Sequence, residues 1–210
     1  SNPFDLTFPK GFVWGAATSS YQIEGGWNAD GKGLNVWDHF SHQPYKVKNG
    51  DTGDVACDHY HRWAEDVDLM AWLGLQSYRF SISWARILPD GFGRVNPAGL
   101  DFYERLVDRL LENGIRPNAT LNHWDFPQAL SEQGGWTNRA MSDWFTEYAG
   151  IVFEHLGDRV EYWATHNEPK VVSLMGYADG TFPPGRSSVS EAMLAVHHLH
   201  LAHAKAIQVF

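Results

Sequence analysis

The chain has 210 residues, enough for one substantial core, and its 43% hydrophobic content excludes a disordered protein. With a formal net charge of −9, it lacks the basic surplus that nucleic-acid binding needs, so we expect no nucleic-acid partner. No stretch approaches the roughly 18 unbroken apolar residues of a membrane span, so we expect no membrane partner either.

The amino-terminal residues and the cysteine content indicate the compartment. The opening residues, SNPFDLTFPKGF, lack the basic stretch and apolar run of a secretory signal. Cys57 is the only cysteine, so an intrachain disulfide is excluded. Both observations favour a reducing compartment, and we predict a cytoplasmic location.

Strand-like runs and segments of helical period alternate four times along the chain. The first strand is predicted over residues 12–19, and the Gly- and Asn-rich residues 25–35 that follow indicate a long loop. The apolar face of the first helix recurs at three- and four-residue steps: Trp63, Val67, Met70 and Leu73. Gly74 ends that helix, and residues 77–84 alternate as the second strand.

The second helix is predicted to begin with Asn96 as its cap and Pro97 at its first position. It ends at Gly114, and the third strand occupies residues 115–123. The third helix ends at Gly157 and leads into the fourth strand, residues 159–169. The fourth helix opens at a predicted capping box formed by Ser188 and Glu191.

Strands separated by helices predict an α/β fold with parallel pairing and right-handed crossovers. Two architectures compete at this point. A doubly wound nucleotide-binding sheet would carry a glycine-rich turn, but residues 25–33, GGWNADGKG, fit neither GxGxxG nor GxxxxGK[ST]. The alternative is a (β/α)8 barrel, of which four units would supply half.

Polar or aromatic residues lie in or just after each predicted strand: Gln22, Arg79, His123, Trp124, Asn167 and Glu168. In a barrel, such groups at the carboxyl ends of strands face one active-site mouth. Amides, imidazole and a carboxyl group beside indole rings suit a polyhydroxylated ligand. Taken singly, each residue also has a structural explanation, and Glu168 in particular could cap a helix or pair with Lys170.

Histidines are frequent, but their spacing does not predict a metal site. His59 and His61 are too close for the i, i+4 arrangement of HExxH. A second group lies in the last predicted helix, with no carboxylate in ligand spacing: His197, His198, His200 and His203. We expect these histidines to be packing or surface residues, and we expect no metal and no cofactor.

Motifs over nearly the whole chain resemble the amino-terminal half of the glycoside hydrolase family 1 β-glycosidases, which include the β-glucosidases. The matching motifs are FVWGAATSSYQIEGG, NVWD, YHRWAEDVDLMAWLG, YRFSISWARI, GLDFYERLVDRLLENGI, TLNHWD, GGWTNR, GDRVEYWATHNEP and PPG. The resemblance implies a (β/α)8 TIM barrel, of which residues 1–210 supply about the first four units. It also implies a retaining β-glycosidase, most simply a β-glucosidase, with a β-glycoside or oligosaccharide as substrate.

The resemblance also implies roles for the strand-end residues. Glu168, in NEP, matches the general acid/base, and Asn167 matches the residue that holds the sugar 2-hydroxyl group. Gln22, His123 and Trp124 match contacts to the sugar ring on the non-reducing side of the bond. Arg79 matches the arginine beside the nucleophilic carboxylate. These roles are what the resemblance implies for the six residues.

A retaining glycosidase needs a second carboxylate about 5 Å from the first. In the family this nucleophile lies in a Thr-Glu-Asn-Gly motif late in the chain. Glu112 stands in a Glu-Asn-Gly sequence, but that sequence predicts the end of the second helix, at the opposite end of a barrel. The partner expected to supply the nucleophile is the carboxyl-terminal half of the barrel.

Two rival hypotheses remain open from the sequence. One is a non-catalytic sugar-binding half-barrel, and the other is a half-barrel that associates with a second copy of itself.

Two residues depart from the family pattern. His166 stands where an apolar residue is usual, and Asn122 stands where a tyrosine or a similar residue is common.

Overall fold

The computed structural model describes residues 7–210, and its centre is a parallel sheet. The four strands of that sheet are β1 (Gly15–Ala17), β2 (Ser77–Ser81), β3 (Arg116–Asn122) and β4 (Tyr162–His166). Their order across the sheet is the same as their order along the chain, β1-β2-β3-β4. A doubly wound sheet reverses its strand order at a switch point, whereas a barrel adds each strand beside the last. The observed order therefore matches a barrel segment.

Long helices follow the strands or connect them within residues 7–210. They are α3 (His59–Trp72), α5 (Pro97–Glu112), α7 (Met141–Leu156) and α9 (Val189–Val209). The shorter helices are α1 (Ser20–Ile23), α2 (Val36–Ser41), α4 (Trp84–Ile87), α6 (Gln128–Ser131) and α8 (Pro169–Ser173). Single turns complete the structure: two 3-10 turns, Lys48–Gly50 and Gly135–Thr137, and a π-helical turn, Leu174–Ala178. None of these helices is both long and apolar enough to cross a membrane.

The predicted strands and long helices are present, and the differences lie at their ends. The first strand is shorter than residues 12–19, because β1 pairs with β2 over three residues only and Trp14 N–H donates instead to the side chain of Gln76. Leu73 lies beyond the last residue of α3 and is 59% exposed. The prediction that Leu73 belongs to the apolar face of this helix is therefore wrong. Gly114 has φ +70° just after α5, as a left-handed helix end requires.

The predicted helix caps form only in part. Asn96 holds the cap position of α5, but its buried side chain donates to the carbonyls of Asp30 and Arg86 and does not cap the helix. Ser188 Oγ accepts from Glu191 N–H at 3.4 Å. The Glu191 carboxylate binds Arg186, so the reciprocal half of the capping box is replaced by an ion pair.

The hydrophobic core lies between the sheet and the long helices. It includes Phe80 from β2, Leu121 from β3 and Phe145 from α7. The rings of Trp84 and Tyr148 stack at 5.0 Å between centroids. Burial of such large side chains stabilises the fold by roughly 1.5–3 kcal/mol each. The core therefore fixes the strands, whose carboxyl ends carry the candidate site.

Both outer edges of the sheet lie open within the described residues, because β1 pairs only with β2 and β4 pairs only with β3. Large apolar side chains remain exposed near these edges. Trp14 precedes β1 and is 50% exposed, while Tyr162 of β4 is 49% exposed and Phe210, after α9, is 70% exposed. An open cleft beside β4 is lined by Tyr162, Trp163, Ile207 and Phe210.

Candidate active site

The carboxyl ends of β2, β3 and β4 bring together a polar network centred on Arg79 and Asn167. Arg79 Nε donates to Thr120 Oγ1 at 3.0 Å, and Arg79 Nη2 donates to Asn167 Oδ1 at 2.8 Å. Because a guanidinium can only donate, the amide oxygen of Asn167 faces Arg79 and its amide nitrogen faces away. That nitrogen lies 3.2 Å from His123 Nε2. Arg79, Asn167 and His123 therefore form one network.

Asn167 is held through its main chain as well as its side chain. Its N–H donates to Asn122 O at 2.9 Å, and its carbonyl accepts from Trp124 Nε1 at 2.9 Å. The amide nitrogen keeps a second hydrogen beyond the one given to His123, and Oδ1 keeps a second lone pair. Asn167 can therefore bind a hydroxyl group without losing the contacts that orient it.

His123 is the acceptor in its contact with Asn167, so its neutral ring carries the proton on Nδ1. Burial, and then the charge of Arg79, lower the pKa of His123 to about 4. The imidazole is therefore neutral at physiological pH. Nδ1 is buried without a hydrogen-bond partner within residues 7–210, so the neutral ring orients Asn167 through Nε2 and adds no positive charge to the mouth.

We expect the ring resonances of His123 to stay constant from about pH 8 to about pH 5 in an NMR titration. The unfolded chain binds this proton with a pKa near 6.5, so acidification through that interval removes stability from the fold. Arg79→Met removes the opposing charge and should move the midpoint upward. A midpoint near 6.5 in the unsubstituted protein would contradict this geometry.

Glu168 follows Asn167 directly and has a left-handed backbone, with φ 46° and ψ 62°. Pro169 explains part of this geometry, because a residue before proline avoids the right-handed helical region. A left-handed conformation costs a non-glycine residue roughly 1–2 kcal/mol, a strain typical of functional positions. The side chain is exposed and does not cap α8, so the capping explanation of Glu168 is wrong. Its carboxyl group projects into solvent at the mouth.

Trp124 also has a left-handed backbone, with φ 78°, and begins a wall of aromatic rings. Its ring lies 5.6 Å from that of Phe182, which lies 5.1 Å from Trp37. Trp37 stacks with Tyr21 at 5.7 Å. Gln22, in α1, is exposed and lines a cleft with Tyr21 and Trp37. The structure thus places Gln22 at the same face, beside the aromatic wall and outside the polar network.

A buried charged cluster beneath the site was not predicted from the sequence. Glu24 Oε2 accepts from Arg86 Nε and Nη2 at 3.1 and 3.0 Å, and Glu24 Oε1 accepts from Tyr103 Oη at 2.5 Å. The Arg86 guanidinium lies 4.0 Å from the centre of the Tyr60 ring. Glu24 stands in the YQIEGG motif, two residues after Gln22, and Arg86 stands in SWARI. The signal in the sequence that could have predicted the pair was one ionisable residue in each of these two otherwise largely uncharged motifs.

Asp125 is a second buried acid, directly after Trp124. Ser20 Oγ donates to Asp125 Oδ2 at 2.5 Å, and Ser81 Oγ accepts from Ser20 N–H at 2.7 Å. Burial raises the pKa of Asp125 to about 7, a rise that the Ser20 hydrogen bond opposes and the charge of Glu24 reinforces. These contacts tie together α1, the end of β2 and the loop after β3.

The remaining candidates lie away from this site. Glu112 is exposed at the end of α5, 3.5 Å from Arg109, and α5 leads into the amino end of β3, opposite the mouth. His59 Nδ1 pairs with Asp66 at 2.6 Å, and His198 Nδ1 contacts the carbonyl of Trp136 at 2.8 Å. Across residues 7–210, no group of three or more His, Cys, Asp or Glu side chains has the arrangement of a metal site.

A sequential parallel sheet with polar groups at its carboxyl ends defines the class of barrel proteins whose sites lie at the strand ends. The model of Glycosyl hydrolase family 1 matches residues 4–210. The chain belongs to glycosyl hydrolase family 1. The resemblance found in the motifs is thereby confirmed.

Named relatives agree with the family. The chain is 58% identical over 203 residues to beta-glucosidase A of Thermotoga maritima, covering 97% of this chain and 46% of that protein. It is 55% identical over 205 residues to beta-glucosidase A of Acetivibrio thermocellus, covering 98% and 46%. The solved structure of the Thermotoga maritima beta-glucosidase in complex with castanospermine superposes with a TM-score of 0.95, at 58% identity, covering 97% of this chain and 46% of that one.

Two facts follow from these matches. The four parallel strands form part of a (β/α)8 barrel, which confirms the predicted fold class. The chain spans about half the length of the relatives it matches.

Proposed function

We propose that this chain forms the amino-terminal half of one catalytic barrel, and that the barrel is a retaining β-glycosidase that hydrolyses terminal β-D-glucosides. The observation that carries the proposal is the segment Asn167-Glu168. It presents a free carboxyl group beside an amide that is oriented by Arg79, His123 and Trp124. The relatives named beta-glucosidases support the choice of substrate class.

In this mechanism Glu168 protonates the departing glycosidic oxygen and later removes a proton from the attacking water. The unshared hydrogen on Asn167 Nδ2 donates to the sugar 2-hydroxyl group, a contact that strengthens in the transition state. His123, Trp124 and Gln22 bind the same sugar.

The nucleophilic carboxylate comes from the second half of the barrel. Arg79 uses Nε and Nη2 within this chain, which leaves Nη1 to bind that carboxylate. The second half also covers the open edges of β1 and β4 and the apolar cleft lined by Tyr162 and Phe210. Unpaired edges beside exposed aromatic rings favour strand addition at both sides.

The test is hydrolysis of an aryl β-D-glucoside, with intact mass spectrometry of the same sample. We expect turnover from samples that contain both halves, covalently joined or co-purified, and none from a pure chain of 23.7 kDa. Turnover by the pure chain at the rate of the complete barrel would contradict the assignment of the nucleophile to the second half. No turnover from the complete barrel would contradict the glycosidase itself.

Two other outcomes of this test bear on the rival hypotheses. Sugar binding without turnover in the complete barrel would establish a non-catalytic sugar-binding protein. A mass of two copies of this chain, without a second polypeptide, would establish the self-associating half-barrel.

The cytoplasmic location stays a prediction, and its support is Cys57, an exposed, unpaired cysteine.

A further inference from the structure

The two departures from the family pattern, His166 and Asn122, are partners in the structure. They lie opposite each other in the register of β3 and β4. Asn122 Nδ2 lies 3.2 Å from His166 Nδ1, and Asn122 is 1% exposed. The Asn122 amide nitrogen therefore has its hydrogen-bond partner in His166, as a buried polar group needs, while Oδ1 of the same amide is buried without one within residues 7–210.

The surroundings of His166 hold its ring in one orientation. The ring stacks on Phe145 at 4.6 Å and meets the edge of Trp136 at 5.3 Å. Nε2 has no contact with solvent. The titratable groups that face the ring are His203 and His200 of α9. Burial, and then these two histidines, lower the pKa of His166 to about 3.

Asn122 connects His166 to the site. Its side chain binds His166, and its main-chain carbonyl accepts from Asn167 N–H at 2.9 Å. It thus holds two consecutive residues of the strand that ends in the catalytic segment. A shift of Asn122 moves the main chain of Asn167 directly, and with it the amide that faces the sugar.

We propose that His166 and Asn122 are a positioning pair for Asn167. The neutral imidazole carries its proton on Nε2, and its Nδ1 accepts a hydrogen bond from the Asn122 amide nitrogen. This hydrogen bond fixes the main-chain carbonyl of Asn122, which binds the N–H of Asn167. This inference rests on the proposed function, since it concerns the contact of Asn167 with the sugar 2-hydroxyl group. An apolar residue at position 166 leaves the Asn122 amide buried without a partner. The amide then turns toward another acceptor and carries Asn167 with it.

The test compares variants of the complete barrel on an aryl β-D-glucoside and on the matching 2-deoxy glucoside. We expect His166→Leu to lower kcat about tenfold on the glucoside, with little change in KM, as the loss of about one hydrogen bond predicts. On the 2-deoxy substrate the loss should fall below about twofold, because the contact made by Asn167 is already absent. Equal losses on both substrates would mean a merely structural role and would overturn the proposal.

Two further variants keep the test decisive if His166→Leu folds poorly. His166→Gln offers Oε1 to the same amide hydrogen and should retain most of the activity. The double variant His166→Leu/Asn122→Leu removes both polar partners and should be more stable to urea than His166→Leu alone. Strict additivity of the two substitutions, in both kcat and stability, would contradict a pair.

A readout without substrate separates this inference from the glycosidase proposal. ¹⁵N NMR of the complete barrel should show His166 with an unprotonated Nδ1 and a protonated Nε2, unchanged between about pH 8 and about pH 5. Asn122→Leu should alter the Nδ1 signal. If the tautomer is as stated but the wild type hydrolyses no glucoside, the proposed function fails and the pair stands. A proton on Nδ1, with normal hydrolysis, overturns the pair alone.

Discussion

Glu168→Gln in the complete barrel should lower kcat for an unactivated β-glucoside by about 10²–10⁴-fold, the usual contribution of general acid/base catalysis. The amide has nearly the shape of the carboxyl group but cannot transfer the proton that the departing oxygen needs. Because Glu168 is exposed and caps no helix, the substitution leaves the fold intact. Steady-state kinetics, with urea unfolding as a stability check, measure both effects.

Glu112→Gln is the matched control, since Glu112 also has an asparagine neighbour, in the sequence Glu-Asn-Gly, and is likewise exposed. It lies at the opposite end of the sheet, so its activity should equal that of the wild type. An aryl glucoside with a very good leaving group needs little protonation, and Glu168→Gln should slow its first step much less. A similar loss of activity in both variants, or no loss in Glu168→Gln, would contradict the assignment of Glu168 as the acid/base.

Arg86→Met should destabilise the fold by about 3–5 kcal/mol, the cost of removing one partner of a buried ion pair. The Arg86 and Glu24 side chains are only 1% and 6% exposed. Without the guanidinium, the Glu24 carboxylate keeps only the hydrogen bond from Tyr103. That carboxylate then lies in the core without a cation. Urea unfolding monitored by tryptophan fluorescence measures the loss.

The matched control is Arg94→Met, which breaks an exposed pair with Asp90 in which both side chains are 61% exposed. That change should cost at most about 1 kcal/mol. The double variant Arg86→Met/Glu24→Gln removes both charges and should regain part of the loss. Equal stability of Arg86→Met and Arg94→Met would show that the buried cluster contributes nothing beyond a surface pair.

Much of the fold was predictable because helices and strands each have a characteristic spacing of apolar residues, which can be seen among residues close together in the sequence. The face of α5 and the glycine after it follow from spacing alone, and so does the alternation of β2. The start of β1 could not be predicted from spacing, because the length of an edge strand depends on the hydrogen-bond partners that the neighbouring chain supplies. Gln76, which is 62 residues away from Trp14, supplies that contact.

The candidate site was predictable as a set of strand ends, and its connections were not. Sequence spacing placed Arg79, His123 and Asn167 at one mouth, but only the register of three strands shows that Asn167 binds both of the others. The Glu24–Arg86 pair was missed for the same reason, since both residues stand in motifs that otherwise indicate loops and core. The pairing of His166 with Asn122 likewise depends on register.

The separation of Glu24 and Arg86 has a consequence for synthesis on the ribosome. The two residues are 62 positions apart. At about 5–20 residues per second, Arg86 is polymerised roughly 3–12 s after Glu24. Until then the first strand and its loop cannot bury that carboxylate. The segment around Glu24 therefore stays hydrated and exposed to chaperones and proteases until the second βα unit has been translated.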